Sequence, residues 1–436
     1  MAKIELKKNI LPSPSWYKLD LSAIVFPTLQ RRDFSSVYRL SAVMNEKVDP
    51  KLLQEALDRT LERFPSYKVA MRKGFFWRYL EPNNRPGPFV KPDVKNPCQP
   101  MNFRYGSRHL IRVYYYEERI HFEAHHSLGD GTGGMAVFLT MVSEYLRLQG
   151  HDDFGYGGYV KNVSEGPQKN DSEDAYMKYA GPKKKAKNFP HGPKAYRVKG
   201  TKEPFYTLNI IEGNMSVAEV KKVAKKYGAT VTEYMNAVLI DSLLRKQNKE
   251  GNRNLKPVTL AMPVNLRQFF PSETLRNFIT MVYPGVDPNI GDYSFEDIVK
   301  EVHNYMHYRI TDKFLGRDIR ANASIQRSLL IRIVPIWIKD MVVRNYYSRV
   351  QDRSSSAGLT NMGNLKLPNG MEKYINRIDI NMGQPFSTRT NCSIISYNGV
   401  LTVNFASAIV ETDVERWFFR RLVKDGIHVK IESNRE

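Results

Sequence analysis

Residues 121–134 read HFEAHHSLGDGTGG, and this stretch constrains the fold more than any other. His121, Phe122, Glu123, Ala124 and His125 suit a strand, where successive side chains point to opposite faces, so His125 and His126 are directed apart and one of them must face inward. Gly129, Gly131, Gly133 and Gly134 then allow a sharp turn and a close approach to a neighbouring surface. Met135, Phe138, Leu139, Val142 and Leu146 follow at helical spacing. An inward imidazole at such a corner is placed to meet a substrate.

The rest of the chain must supply the surface that this corner approaches. A length of 436 residues exceeds the usual single core, which predicts two lobes of roughly 200 residues each. With 42% hydrophobic residues and 25 tyrosines, the chain can fill both, and disorder is excluded. Cys98 and Cys392 are the only cysteines; they exclude a disulfide framework and a multi-cysteine zinc site and suit a reducing, cytoplasmic setting. The N-terminal residues carry lysines without a long apolar run, unlike a secretory signal.

Periodicity orders the elements. SSVYRLSAVM (35–44) alternates as a strand; Asp49 caps a helix with Pro50 in its first turn, Leu53, Leu57, Leu61 and Phe64 as its buried stripe, and Pro65 as its stop. Two hairpins follow, the second turning at Glu117 and Glu118, and then the helix after the glycines. A Gly-, Pro- and Lys-rich stretch leads to residue 203. Beyond it, Ser216 with Glu219 and Thr230 with Glu233 form capping-box patterns, the first helix ending at Gly228. Residues 256–267 read as a buried strand and 295–310 and 326–346 as helices, and Asn398-Gly399 signals a type I′ hairpin. The expectation is an α/β chain of two lobes with mixed or largely antiparallel sheets: residues 1–175, a basic linker at 176–203, and residues 204–436. No internal repeat and no glycine-rich nucleotide-binding loop occurs.

Two segments admit more than one reading. The formal charge of +21 is densest in residues 182–202, where eight Lys or Arg stand among prolines and glycines: a solvated linker, or a rim attracting phosphate. LLIRIVPIWIKDMVV (329–343) is too short and too charged to span a bilayer. It reads as an amphipathic core helix bent or begun near Pro335, with a membrane-surface helix as the alternative. His303 and His307 stand four residues apart on a helix but lack a third ligand in sequence, so no metal is expected.

His125-His126-Ser127-Leu128-Gly129-Asp130-Gly131 matches the HHxxxDG signature and resembles the thioester-dependent acyltransferase superfamily that includes condensation domains, chloramphenicol acetyltransferases, polyketide-associated acyltransferases and alcohol acetyltransferases. MPVNLR (262–267) looks like the superfamily's second-lobe strand end, whose arginine pairs with the motif aspartate. TNMGNLKLP (360–368) resembles the segment preceding the crossover strands, here near 357–410. The resemblance implies a chloramphenicol-acetyltransferase-like fold with an active-site channel between the lobes. It implies His126 as general base without a covalent acyl-enzyme, His125 as a neighbour shaping the strand, and Asp130 paired with Arg267 to fix the loop.

An imidazole near its unperturbed pKa suits removal of a proton from an attacking alcohol or amine at neutral pH. The oxyanion needs a donor, for which the Gly131 amide, Asn391 and Ser393 are candidates. The expected co-substrate is an acyl-CoA such as acetyl-CoA, with no permanently bound cofactor, and the acceptor is a small alcohol or amine. The basic charge also suits an acidic acyl carrier protein or a peripheral membrane contact, and no nucleic acid is expected. The alternatives are a carrier-protein-dependent condensation-type acyltransferase, and a non-catalytic binding protein on the same fold.

Overall fold

A computed structural model describes residues 15–31, 34–182, 194–251, 254–347, 352–383 and 389–435. The chain is a mixed α/β protein of two lobes, each built on a sheet with helices packed against it. The first sheet has five strands in the order Ile375–Met382, Val37–Met44, Arg119–His125, Ile111–Tyr116 and Val90–Pro92. It is antiparallel except at the last pair. The helices Pro50–Arg63 and Gly131–Leu148 pack in its core with Phe122, Phe138 and Leu57. Its edge strand Ile375–Met382 comes from late in the chain, so the stretch near 357–410 links the two sheets.

The second sheet runs Ile279–Val282, Val258–Asn265, Ala357–Asn364, Thr390–Tyr397, Val400–Ser407, Asn209–Ser216 and Val429–Ser433, with Gly285–Val286 also pairing on Val258–Asn265. Ala357–Asn364 is parallel to both its neighbours and the other pairs are antiparallel. Asn398 and Gly399 take positive φ of 46° and 78° at the tight turn between Tyr397 and Val400, as the type I′ signal requires. A small third sheet joins Tyr17–Lys18, Arg78–Pro82 and Val69–Lys73.

Local chemistry accounts for most boundaries. The Asp49 carboxylate accepts from the Lys51 and Leu52 amides at 2.7 and 3.3 Å, and Pro50 occupies a position whose missing N–H costs nothing. Thr230 and Glu233 form the full capping box. Ser216 and Glu219 do not: Ser216 is also the last residue of a strand and makes no capping bond. Glu219 instead accepts from the His428 amide at 2.9 Å and contacts His428 Nδ1 at 3.0 Å. The strand Val258–Asn265 is half-buried with strict alternation, not buried on both faces. Sequence reading also passed over the helix Leu21–Leu29, which contains Pro27, and the helix Asp312–Arg327.

Two further expectations change. Residues 183–193 of the basic run lie outside the described residues, but Tyr196 and Val198 beyond them are packed in the second core, so that end is not a solvated linker. Residues 326–346 are not one core helix. Helices Asp312–Arg327, Leu329–Ile333 and Ile336–Tyr346 follow one another, the last beginning after Pro335, and Leu329, Ile333, Trp337 and Met341 face solvent. Their amphipathic spacing is real, but no described element covers the apolar side. No helix among the described residues is long and apolar enough to cross a membrane.

Candidate active site

The strand Arg119–His125 ends one residue before His126, and the two histidines diverge as the alternation requires. His125 is fully buried with its ring edge-on to Phe103, and its Nδ1 accepts from the Ser127 amide at 3.1 Å, which tightens the turn. His126 turns the other way and remains partly exposed. Its ring stacks on Phe26 and meets Tyr38 at a tilt, with centroids 4.7 Å from each. Its backbone is held on both sides: the amide donates to the Ser36 carbonyl and the carbonyl accepts from Asn277 Nδ2, both at 2.9 Å.

Burial without a strong acceptor decides the protonation state of both rings. Nδ1 of His126 is buried and makes no hydrogen bond of good geometry. Burial pulls its pKa down to about 4, opposed by the charge of Asp130 and by the backbone of Gly129. Burial lowers His125 to about 3, and the neighbouring His126 acts in the same direction. Both imidazoles are therefore neutral at pH 7. A neutral ring can accept a proton, but such a low pKa makes it a weak base until a nearby negative charge supports the imidazolium.

The charge of Asp130 raises the His126 pKa, and its carboxylate holds the corner together. It N-caps the helix Gly131–Leu148, its Oδ1 accepting from the Gly133 amide at 3.1 Å. Its Oδ2 accepts from Arg267 Nη1 at 2.8 Å and from the Phe278 amide at 2.8 Å. Arg267 spends its remaining donors on the carbonyls of Thr274 and Arg276 and on Asn265, so it clamps the loop that carries Leu275. The Leu275 carbonyl in turn lies where a Cβ on Gly129 or Gly133 would stand, which explains the glycines as close-approach positions. The structure thus brings together His126, Asp130 and Arg267 across 137 positions between the last two.

The third stretch of the resemblance meets the same corner. Met362, within strand Ala357–Asn364, lies where a Cβ on Gly131 would stand, and Asn265 donates to Thr132 at 3.2 Å. The oxyanion candidates fare unequally. Ser393 is buried and donates to the Ile380 carbonyl at 2.7 Å, which commits its hydroxyl proton, and Asn391 Oδ1 accepts from the Gly358 amide at 3.2 Å. The side chains of Phe26, Tyr38 and Asn277 and the Leu275 carbonyl were missed in sequence because a single residue outside a motif carries no spacing signal.

His303 and His307 do have a third partner. Glu233 on the helix Val231–Lys249 places Oε2 at 3.2 Å from His303 Nδ1 and Oε1 at 3.4 Å from His307 Nε2. The pair looked isolated in sequence because its carboxylate lies 70 positions upstream.

No protein-family model matches the sequence, and no curated protein matches it. Solved structures resemble the fold over nearly the whole chain. Polyketide synthase associated protein 5 from Mycobacterium tuberculosis matches with a TM-score of 0.57 at 15% identity, covering 95% of this chain and 98% of that one. The epimerization domain from the third module of tyrocidine synthetase B matches with 0.58 at 10% identity, covering 96% and 97%. The starter condensation domain of rhizomide synthetase, in complex with C8-CoA, matches with 0.58 at 12% identity, covering 95% and 98%. The chain therefore has the two-lobed, chloramphenicol-acetyltransferase-like α/β fold of these condensation and epimerization domains.

Proposed function

We propose that the chain is an acyltransferase that moves an acyl group from a thioester to an alcohol or amine, with His126 as general base. One observation carries the reading: of the three histidines on this strand and its end, His126 alone is partly open to solvent, yet neutral, packed against Phe26 and Tyr38 and within reach of the field of Asp130. As the acceptor oxygen or nitrogen attacks the thioester carbonyl, its proton passes to Nε2 of His126. The tetrahedral intermediate then collapses, breaking the carbon–sulfur bond, and the imidazolium returns the proton to the departing thiolate. No group of the protein is acylated.

Asp130 supports the imidazolium electrostatically and fixes the corner, Arg267 positions Asp130, and His125 holds the turn. The oxyanion donor is the amide of Gly131, with Asn391 second. The acyl donor is a coenzyme A thioester, whose phosphates suit a chain of charge +21; acetyl-CoA is the first choice, and the solved complex of a similarly folded domain with C8-CoA adds longer acyl chains to the panel. The same charge suits an acidic carrier protein, the second reading. The test incubates the chain with acetyl-, octanoyl- and longer acyl-CoAs and a panel of alcohols and amines while free thiol is monitored. Acceptor-dependent thiol release that vanishes in His126→Ala supports the reading. Release that persists in His126→Ala, or none from any acyl-CoA or acyl carrier protein, refutes it.

A further inference from the structure

We propose that Glu233, His303 and His307 form a binding site for a divalent transition metal ion of the zinc type. His303 and His307 stand one turn apart on the helix Phe295–Arg309, their ring centroids 4.2 Å apart, and both face one carboxylate. One ligand atom from each of Glu233, His303 and His307, a carboxylate oxygen and two ring nitrogens, lies within 4.8 Å of the other two. Tetrahedral zinc with bonds near 2.0–2.1 Å needs its donors roughly 3.3 Å apart. His303 Nδ1 lies 3.2 Å from Oε2 and His307 Nε2 3.4 Å from Oε1, so each nitrogen is at that spacing from one of the two carboxylate oxygens.

The set is built in the way metal sites are, with a fixed buried ligand and open outer ligands. The Glu233 side chain is 4% exposed, against 40% and 65% for His303 and His307, so water can complete the coordination from outside. The Thr230 amide donates to Glu233 Oε2 at 2.8 Å, a second-layer bond that orients the carboxylate. Among the described residues no Lys or Arg pairs with Glu233; its carboxylate is held by the Thr230 amide and faces the two imidazoles. A carboxylate only accepts, so without metal each imidazole turns an N–H toward Glu233; a bound ion takes that position, and the hydrogen of each neutral ring moves to its other nitrogen, which faces outward. The site would pin one helix of the second lobe to another and is separate from the acyl-transfer reading.

Untagged full-length protein, stripped with a chelator, is titrated with zinc chloride by calorimetry. The expected result is one equivalent bound, with affinity reduced at least about tenfold in His303→Ala/His307→Ala, the size of effect seen on losing groups that support a metal site. Because both histidines are exposed, the double variant should melt as the wild type does in chelator, and zinc should raise the melting temperature of the wild type alone. Co2+ substituted at the site should give a visible spectrum that the double variant lacks. Equal zinc affinity in the double variant, or no stoichiometric binding to the wild type, overturns the site.

The outer face of residues 329–346 supports a second, independent inference: we infer that it seats on an anionic lipid surface. Trp337 is 61% exposed, and Leu329, Ile333 and Met341 are at least as open. The Phe75 carbonyl accepts from the Ile336 amide at 2.8 Å and the Phe76 carbonyl from Lys339 Nζ at 2.7 Å, which sets the aromatic hairpin tip Phe75-Phe76-Trp77 beside this helix. Arg332 and Lys339 add positive charge, and Lys73 lies 3.8 Å from the Asp340 carboxylate. The one carboxylate of the segment, Asp340, is buried and neutralised by Arg78 at 2.7 Å. An apolar face with Trp and Phe and a cationic rim fits the boundary of an anionic bilayer.

Co-sedimentation with vesicles of phosphatidylcholine, with and without phosphatidylglycerol, reads the assignment. Binding should need the anionic lipid, weaken with salt, and fall at least about tenfold in Phe75→Ser/Trp77→Ser/Trp337→Ser, as loss of buried apolar area demands. Absence of binding to anionic vesicles overturns it. So does a dimer, seen by light scattering, that the same substitutions dissociate, because the face would then belong to a second copy.

Discussion

Two helices in this molecule begin in the same way and use the result differently. At Gly131–Leu148 the capping carboxylate is Asp130; at Val231–Lys249 the capping box brings in Glu233. Each carboxylate is buried and lies near histidine. Asp130 is already paired with Arg267, and the adjacent histidines are sunk among apolar rings and neutral. Glu233 has no such cation among the described residues, and its two histidines stand in solvent. Under the two proposals one helix start would serve proton transfer, because its imidazole is desolvated, and the other cation binding, because its carboxylate has no Arg partner among the described residues and its imidazoles are open to solvent. What separates them is the company of the carboxylate, which no short motif records.

The largest effect that tests this contrast is His126→Ala. Acyl transfer should fall by about 10²- to 10⁴-fold, the usual worth of a general base, with the melting temperature little changed because His126 is already partly exposed. His303→Ala should leave the rate untouched. The pH profile sharpens the contrast further. Since His126 is held down to about 4, kcat/KM should stay flat from neutral pH to well below 6.5 before falling on the acid side. Asp130→Asn should move that limb lower still, because Asp130 raises the His126 pKa. An acid limb near 6.5 would mean that the imidazole is solvated in the free protein.

Stability should follow pH with the same sign. A histidine whose folded pKa lies below its unfolded value near 6.5 takes up its proton more readily when unfolded. His121, His125 and His126, held down to about 3, 3 and 4, therefore cost stability as the pH falls from about 6.5 toward 4 and add nothing above it. Asp379, pushed up to about 7 mainly by burial, contributes in the opposite direction, losing stability as the pH rises through its folded value. Melting curves between pH 4 and 7 should show net acid destabilisation that is reduced in His125→Gln; an unchanged slope in that variant would assign the loss to other groups.

How legible this was in sequence depended on where the partner lay. The corner was legible because its glycines, aspartate and histidines are contiguous, and because the MPVNLR strand end supplied Arg267. The aromatic grip of Phe26 and Tyr38 and the Asn277 bond were not, since each comes from an element with no local reason to be near residue 126. The helices of residues 312–346 showed their apolar spacing, but spacing gives only the face, not what covers it. Strands Thr390–Tyr397 and Val400–Ser407 are buried on both faces, so alternation says nothing of their inner side, and Ser216 shows a capping pattern that competes with a strand and loses.

The next largest effect concerns the link between Asp130 and Arg267. Removing either partner leaves a buried charge and several orphaned donors or carbonyls, a loss of about 3 to 5 kcal/mol. Asp130→Asn and Arg267→Gln should each lower the denaturation midpoint and the rate together. The double variant should lose much less than their sum, with a coupling of about 1 to 3 kcal/mol. Loss of rate in Asp130→Asn at full stability would instead make support of the imidazolium the main role of Asp130. Additive losses would mean that the contacts of Arg267 to the Thr274 and Arg276 carbonyls carry its effect without Asp130.

The smallest effects separate a cap that forms from one that only looks right. Thr230→Ala removes the hydroxyl that accepts from the Glu233 amide at 3.2 Å, a loss of about 0.5 to 2 kcal/mol. Ser216→Ala removes no capping bond and should stay within about 0.5 kcal/mol, as for a substitution away from any such feature. The pair is measured by urea denaturation on the full chain, and Thr230→Ala carries a second readout. If the capping box orients Glu233, the substitution should also weaken zinc binding relative to wild type, whereas Ser216→Ala should leave it unchanged. Equal small losses in both variants with zinc affinity intact would show that burial, and not the box, fixes Glu233, and the two helix starts would then differ in the caps themselves as well as in what surrounds their carboxylates.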